Sequence, residues 1–303
     1  MIELSMFGFR ALWSPYFIFF TAIALCGYLF ITSNKREINK GLKQTSMRQK
    51  ILFILGLSLF YFSLGGPLDL LGHLVFSAHM TQMAAAFILT IPLMMYGAPS
   101  WIYDKIYQTK VIGGIFRFLT KPLISLLLFN GFFSLYHLPL IFDVVKQSEA
   151  LHATFLVVLT ILSITMWWPL FHKLENEPQL EGIKKIGFIF ANGMLLTPAC
   201  ALIIFATGPM YETYSSLDAW LQALSLCVPA DVLVNLNLTT TDVFDWIPIL
   251  EDQQLGGVIM KIMQEFVYGS LIAYVFFDLV KDGKKTVEEP LYVKQMRESR
   301  EMS

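Results

Sequence analysis

The hydrophobic positions of this chain fall into seven long runs that are separated by shorter polar segments. A membrane-spanning helix needs about 20 predominantly apolar residues with few charges, and each run reaches or approaches that length. The expected spans are Trp13–Thr32, Lys50–Leu64, Val75–Tyr96, Pro122–Pro139, Leu151–Leu170, Ile186–Ala206 and Gln254–Asp278. The pattern therefore predicts an all-α integral membrane protein, in which residues 1–303 form a single bundle of seven transmembrane helices.

Composition excludes several other classes of protein. Of the 303 residues, 55% are hydrophobic and 15% are charged, against roughly 25% charged in an average soluble domain. The 26 Phe residues supply the apolar surface that disordered chains lack. Three cysteines with no CxxC spacing argue against a disulfide-stapled domain and against a thiolate zinc site.

Basic residues predict the orientation of the bundle, because Lys and Arg in short loops are retained on the cytoplasmic side. Nineteen of the 22 basic residues lie in the loops after spans one, three and five or in the C-terminal tail. The opposite side carries only Arg10 and Lys146, and Lys261 lies within the seventh span. We therefore expect the N-terminus outside and a basic cytoplasmic tail at residues 281–303.

Residues 207–253 are expected to form an acidic external loop, since the part from Thr207 onward has no Lys or Arg. Its apolar residues at helical spacing are Leu217, Trp220, Leu221, Leu224 and Val228. This spacing predicts a short amphipathic helix that lies on the membrane surface. An eighth span in this loop is the rival interpretation, but it would place the basic tail outside.

Four of the five histidines map to the predicted outer ends of helices. His73 and His79 lie at the entry of the third span, His137 at the exit of the fourth and His152 at the entry of the fifth. Only His172 lies on the inner side. Ionisable residues at membrane depth are costly and commonly mark a functional site, so this sorting points to a site that opens to the outside.

The spacing of His79 and Met83 favours copper as the ligand of that site. Residues four apart lie on one face of a helix, so the two side chains can chelate one ion. Imidazole binds copper, iron and zinc, whereas a thioether is a soft ligand that selects Cu(I). The candidate metal ligands are His73, His79, Met80, Met83, His137, His152 and Met260.

Several of these methionines and histidines also have a plainer interpretation. Methionine fills irregular cores without any metal. His137 precedes Leu138 and Pro139 at a helix end, where an imidazole can cap backbone carbonyls. His172 follows Trp167 and Trp168 in an aromatic belt, where an amphipathic ring is stable without a function.

Other polar residues of the seventh span allow two interpretations. Lys261 and Glu265 are four apart and can form a pair, either for packing or as an ion relay. Asp252 begins this helix and is expected to cap its N-terminus.

Small and cyclic residues in the last two spans predict features of helix packing. The glycines Gly256 and Gly257 in the seventh span allow another backbone to approach closely, and Pro198 in the sixth span predicts a kink.

The chain lacks the motifs of nucleotide-dependent and hydrolytic enzymes. There is no GxGxxG, phosphate-binding loop, HExxH or nucleophile elbow with a plausible partner. The basic residues follow membrane topology and form no nucleic-acid-binding stripe. We therefore expect a non-enzymatic protein with no nucleic-acid partner.

Several motifs resemble the CtaG-type assembly factors of cytochrome c oxidase, from about His73 to Asp278. They are FSAHM at 76–80, GAP at 97–99, YHLP at 136–139 with Asp143, WWP at 167–169 and, most specific of all, DQQLGGVIM at 252–260. The resemblance implies a seven-helix, multi-pass protein of the bacterial cell membrane that matures the caa3-type oxidase and handles copper. Many relatives carry a histidine at the position of Met83, so a His/His pair is here a His/Met pair.

The leading hypothesis is an assembly factor that binds or presents copper, as Cu(I), at the outer membrane face. Its expected partners are cytochrome c oxidase subunits, an extracytoplasmic copper chaperone and membrane lipids. Two alternatives remain open. One is a copper or small-solute transporter that uses the region of Lys261, Glu265 and Pro198, and the other is a metal-free scaffold for oxidase subunits.

The orientation can be tested with reporters that are active only outside the cytoplasm. A reporter fused after Lys281 should be inactive, and one inserted near Ser216 should be active, because basic loops stay inside. Reporter activity at the C-terminal fusion would contradict the orientation and with it the placement of the histidines outside.

Overall fold

Helices make up all the regular secondary structure in the part of the chain that the computed structural model describes. The described residues are 4–33, 40–172, 179–236 and 247–288, with the single residues 174, 238 and 241. The helices are α1 Gly8–Leu12, α2 Pro15–Ile31, α3 Met47–Leu64, α4 Pro67–Leu74, α5 Phe76–Met83, α6 Ile91–Gly97, α7 Ser100–Gln108, α8 Lys110–Leu119, α9 Pro122–Tyr136, α10 Pro139–Lys146, α11 Glu149–Phe171, α12 Gly182–Ile204, α13 Glu212–Ser215, α14 Leu217–Leu224, α15 Ala230–Leu236 and α16 Ile249–Glu288. A 3₁₀ turn at Leu4–Phe7 and a π-helix at Ala84–Thr90 complete the set.

Between five and seven of these segments are long and apolar enough to cross a membrane. The five continuous candidates are Met47–Leu74, Phe76–Gly97, Glu149–Phe171, Gly182–Ile204 and Ile249–Lys281. Two bent pairs bring the number to seven: Leu4–Leu12 with Pro15–Ile31, bent by 45°, and Gly113–Leu119 with Pro122–Tyr136, bent by 79°. The predicted all-helical membrane architecture is confirmed at this level. Of the predicted basic tail, residues 289–303 lie outside the described residues.

Prolines set several of the helix boundaries. Pro15, Pro67, Pro122 and Pro139 each stand in the first turn of a helix, where the missing N–H removes no intrahelical hydrogen bond. Helix α9 consequently has only 15 residues. The predicted fourth span is therefore short on its own, and it reaches the length of a span only together with the bent segment before it.

The segment Phe76–Gly97 lies at the centre of the bundle. In its most apolar stretch of 18 residues, 67% is buried, against 17–39% in the corresponding stretches of the other continuous candidates. Its middle is the π-helix. The side chains of Ser163 and Trp167 on α11 both donate hydrogen bonds to the carbonyl oxygen of Phe87, at 2.7 and 3.0 Å. Side chains that bind a helix carbonyl compete with the α-helical hydrogen bond, and this favours a locally widened turn.

Two glycines let α16 pack closely against its neighbours, as the sequence predicts. A Cβ atom on Gly256 would lie 2.8 Å from the ring of Phe76, and one on Gly257 would lie 2.8 Å from the side chain of Ile204. Both distances are shorter than real Cβ contacts. Helix α16 therefore sits against α5 on one side and against α12 on the other.

Asp252 caps a helix, but a different one from the helix that the sequence predicts. Helix α16 begins at Ile249, so Asp252 already lies inside its first turn. Its carboxylate accepts hydrogen bonds from the backbone N–H of Phe76 at 2.7 Å, from the N–H of Ser77 at 3.3 Å and from the Ser77 hydroxyl. Helix α5 follows Val75, which has no side-chain acceptor. The expectation that Asp252 caps its own helix is therefore wrong: it caps α5.

Replacing Asp252 with Ala should lower the melting temperature of the detergent-purified protein. The loss of a helix cap costs about 1 kcal/mol, and the buried N–H groups left unpaired add about 1–3 kcal/mol. Asp252→Asn, which keeps an acceptor oxygen, should fall between Ala and the wild type. Glu251→Gln is the matched control, because Glu251 is exposed on the same helical turn. Equal melting temperatures for Asp252→Ala and Glu251→Gln would contradict the capping role.

Candidate functional site

Four histidines from four parts of the chain meet at one end of the bundle, which we call the histidine end. His73 comes from α4, His79 from α5, His152 from α11, and His137 follows the last residue of α9. All four are buried, with at most 9% of the surface of any one exposed. The ring centroids of His73 and His152 are 5.4 Å apart, and those of His79 and His137 are 5.8 Å apart. The structure thus arranges the imidazoles as two pairs.

Backbone carbonyls orient one imidazole of each pair. The Nδ1–H of His73 donates to the carbonyl of Asp69 at 2.9 Å, and the Nδ1–H of His137 donates to the carbonyl of Phe133 at 2.8 Å. Since a carbonyl only accepts, Nδ1 carries the proton and Nε2 of the neutral ring is free to accept or to bind a metal. Histidine ligands of metals commonly have this arrangement.

Several imidazole nitrogens at this end have no hydrogen-bond partner among the described residues. They are Nε2 of His73, His137 and His152 and both ring nitrogens of His79. A buried nitrogen without a partner loses its hydration and gains nothing in return. The histidine end therefore holds several imidazole nitrogens whose lone pairs accept no hydrogen bond from the described residues.

The predicted methionine ligands are buried near the same helices. Met83 is the last residue of α5, one turn beyond His79, and is fully buried. Met80 lies against α16, where a Cβ on Gly256 would come within 3.1 Å of its side chain. Met260 on α16 is also fully buried. Burial of this kind agrees with soft ligation and equally with packing, because methionine fills cores readily.

An aromatic layer closes the histidine end, although the sequence predicts a site that opens to the outside. The ring of Tyr211 stacks on that of Phe76 at 4.5 Å and meets that of Phe142 at 4.7 Å. The hydroxyl of Tyr211 donates to the carbonyl of His137 at 2.8 Å, and that of Tyr214 donates to the carbonyl of Gly72 at 2.6 Å. The expectation of an open site is wrong, because this segment covers the imidazoles.

The covering segment continues into α14, the amphipathic helix that the sequence predicts. Trp220 and Leu224 are fully buried, and the indole N–H of Trp220 donates to the carbonyl of Leu74 at 3.3 Å. The apolar side of α14 therefore faces the bundle. The expectation that this helix lies on the membrane surface, with its apolar side in lipid, is wrong. We call residues 210–228 the lid. Asp242 and Asp245 of the predicted acidic loop lie outside the described residues.

Asp143 anchors the start of the lid. Its carboxylate accepts from the backbone N–H of Glu212 at 3.1 Å and from that of Thr213 at 3.0 Å. It also accepts from the Thr213 hydroxyl at 2.7 Å. Asp143 thus caps α13 from a distant part of the chain.

Lys146 lies buried beneath the lid, whereas its place in the sequence indicates only a basic residue on the outer side. Its Nζ has no hydrogen-bond partner among the described residues. Burial lowers the pKa of Lys146 to about 8, while the nearby Asp69 and Cys227 oppose that shift. Asp69 also accepts a hydrogen bond from Gln82 at 2.6 Å. The spacing of Asp69 and His73, which are four apart on one helix, is a sequence signal for this polar group.

The described residues contain no group of three or more His, Cys, Asp or Glu side chains placed to hold a metal ion. The four imidazoles therefore do not form a ready tetrahedral site of the kind that structural zinc requires. Two imidazoles at a time can serve only a metal that accepts few ligands. Cu(I) fits this description, since it is soft and its filled d shell imposes no fixed geometry.

Lys261 and Glu265 form the ion pair that the sequence suggests, with Nζ and Oε1 2.6 Å apart. Lys261 also donates to the hydroxyl of Thr197 on α12 at 2.7 Å. These contacts tie α16 to α12. His172 follows the opposite end of α11 from His152, and its ring stacks on Trp168 with centroids 5.8 Å apart.

One protein family matches most of this chain. The cytochrome c oxidase caa3 assembly factors (Caa3_CtaG) match residues 26–282, a range that includes all four paired histidines, Asp252 and the lid. No protein of curated function and no solved structure matches the chain.

Lys146→Met should remove a pH dependence from the stability of the protein. The pKa of Lys146 is about 8 in the fold against an ordinary value of 10.5, so between these values the unfolded chain holds more protons. The free energy of unfolding of the wild type should therefore rise with pH across this window, by on the order of 3 kcal/mol in full. Denaturation of both proteins at pH 8 and pH 10 measures the difference.

The control for this experiment is Lys184→Met, because Lys184 is exposed at the start of α12. That variant should keep the pH dependence of the wild type. Parallel stability curves for Lys146→Met and the wild type would contradict the burial of a titrating amine.

Proposed function

The chain belongs to the family of cytochrome c oxidase caa3 assembly factors, and from that premise we propose that it binds Cu(I) at the histidine end and presents it to the oxidase. In this proposal copper is cargo that is passed on. The protein itself catalyses no reaction. It acts in the bacterial cell membrane, on oxidase subunits and with an extracytoplasmic copper chaperone as the donor.

The observation that carries the proposal is the pair formed by His79 and His137. Their rings lie 5.8 Å apart, and the bond from Nδ1 of His137 to the carbonyl of Phe133 leaves Nε2 as the ligand atom. His79 has no described partner for either nitrogen, so a small rotation of its ring costs no hydrogen bond. Two nitrogens of this kind, with the sulfur of Met83 one turn away, form a suitable donor set for Cu(I).

The closed lid favours a protein that carries bound copper. It argues against a site that exchanges ions freely with water. Tyr211 and Phe142 separate the imidazoles from the surface. Exclusion of water strengthens the binding of an ion by its few ligands, because nothing else competes for it. Delivery would then depend on displacement of the lid by a partner.

The location of the site supports delivery to the outer face. In the positive-inside orientation, the histidine end lies opposite the basic loops, on the side where the predicted chaperone is found. The orientation rests on the loop charges and is tested by the reporter fusions.

A metal-free scaffold is the second candidate, and one observation favours it. No described group of three His, Cys, Asp or Glu side chains is placed to hold an ion, so the imidazoles could serve only to build the interior of a docking platform. A transporter has less support, because the pair of Lys261 and Glu265 is tied to Thr197 and so has the contacts expected of a packing role.

Anaerobic titration with Cu(I) distinguishes copper binding from scaffolding. The detergent-purified protein should bind Cu(I) stoichiometrically, and His79→Ala and His137→Ala should each weaken binding about tenfold or more, because the remaining ligand cannot close the site alone. The double variant should be little worse than either single one, since the two residues act as a unit. Met83→His should retain binding, because imidazole also serves Cu(I).

His172→Ala is the matched control, because His172 is also buried but lies at the other end of α11. It should bind Cu(I) like the wild type. Absence of Cu(I) binding by the wild type would leave the scaffold as the function. A large copper deficit in cells that lack the protein would instead favour transport, since an assembly factor should abolish oxidase activity without changing total copper.

A further inference from the structure

Two adjoining cavities lie at the end of the bundle opposite the histidines, and they share Arg48 and Tyr96. One is an apolar groove of about 310 Å³, and the other is a polar pocket of about 230 Å³. Arg48 stands in the first turn of α3 and Tyr96 in the last turn of α6. A polar pocket thus adjoins an apolar groove at the end of two helices, with Arg48 and Tyr96 in the lining of both.

The apolar groove lies on the side of the bundle that faces lipid. Its walls come from α3, the segment Phe76–Gly97, the end of α11 and α16, and they include Leu52, Leu93 and Leu271. Phe266 and Tyr274 line the same groove and are largely exposed, at 73% and 64%. Because these helices are membrane-span candidates, a hydrocarbon chain is the natural neighbour of such a wall.

The polar pocket is basic. It is lined by Lys43 and Arg48 together with the polar residues Gln44, Ser46, Gln49 and Ser100, and its lining contains no carboxylate. The guanidinium of Arg48 lies 5.6 Å from the centre of the Tyr96 ring. Neither Lys43 nor Arg48 forms an ion pair with a described carboxylate, since the ion pair found among the described residues is that of Lys261 and Glu265. No described carboxylate therefore neutralises these two cations.

We propose that this pair of cavities binds one anionic phospholipid of the surrounding membrane. The phosphate lies against Arg48 and Lys43, and an acyl chain fills the groove beneath Tyr96. An uncharged isoprenoid would fill the groove but leave two cations without a counter-charge. A soluble anion would leave the groove unused. Basic pockets between helices are known to select anionic headgroups.

This site is separate from the histidine end. Arg48 and His73 lie at opposite ends of the helical segment Met47–Leu74, so the helix rise places them about 35 Å apart. A test of the lipid site is therefore independent of whether the protein binds copper. In the orientation expected from the loop charges, it takes lipid from the cytoplasmic leaflet.

Lipid retention by the full-length protein tests the proposal. The protein is purified in detergent, exchanged with phosphatidylglycerol or phosphatidylcholine, and examined by native mass spectrometry for the number of lipids that stay bound. The wild type should retain one phosphatidylglycerol, with a preference over phosphatidylcholine of between about fivefold and about 25-fold, since each of the two cations contributes up to about a factor of five.

Three variants separate the parts of the site. Lys43→Gln with Arg48→Gln should lose the preference for phosphatidylglycerol. Ser270→Phe, which places a ring in the groove, should lower retention of both lipids while the two cations remain. Lys105→Gln with Arg117→Gln is the matched control, because it removes two charges, and both cations of that pair also lie over aromatic rings.

The expected result is loss of selectivity in the first variant, loss of retention in the second and wild-type behaviour in the control. Equal retention of both lipids by the wild type would overturn the proposal. So would an equal loss of selectivity in the control, because the effect would then reflect total charge. Full retention in Ser270→Phe would show that no acyl chain occupies the groove.

Discussion

The carboxylate of Asp252 holds the histidine end together, because it joins the last long helix to the start of the helix that carries His79. It accepts hydrogen bonds from the N–H groups of Phe76 and Ser77, which helix α5 cannot satisfy within itself. Buried N–H groups need partners, so the position of α16 fixes where α5 begins. Since Gly256 allows α16 to approach α5 closely, cap and packing contact reinforce each other, and His79 is placed by both.

The lid also provides partners for backbone groups at helix ends. Here the side chains donate and the backbone carbonyls accept. Short helices that end near the histidines leave carbonyl oxygens without intrahelical partners. Tyr214 and Trp220 of the lid donate to the carbonyls of Gly72 and Leu74, and Tyr211 donates to that of His137. The lid is therefore more than a loop that happens to cover the site. It satisfies the helix ends that the breaks in the bundle create.

Much of this architecture could be predicted from local patterns. The features that could not be predicted all depend on contacts between residues far apart in the sequence. Apolar runs identify the spans, and the positions of His73 and His152 at the edges of those runs place them near helix ends. Asp252 and Phe76 are 176 residues apart, and no periodicity indicates which distant helix a carboxylate caps. The burial of Lys146 could not be predicted for a related reason: it results from contacts with distant segments such as Asp69 and Cys227, and the residues beside it in the sequence give no sign of it.

The hydrogen bonds that orient the imidazoles are independent of those that hold the lid. His73 and His137 each donate to a carbonyl four residues earlier in the chain. The lid is held by other groups, namely backbone carbonyls at the helix ends and the carboxylate of Asp143. Displacement of the lid would break the bonds of Tyr211 and Tyr214 and leave both imidazoles in place. A carrier that releases its metal to a partner needs this separation, because ligands that moved with the cover would lose the ion to water before the partner arrived. In the proposed function, the lid thus controls access to ligands that the bundle has already positioned.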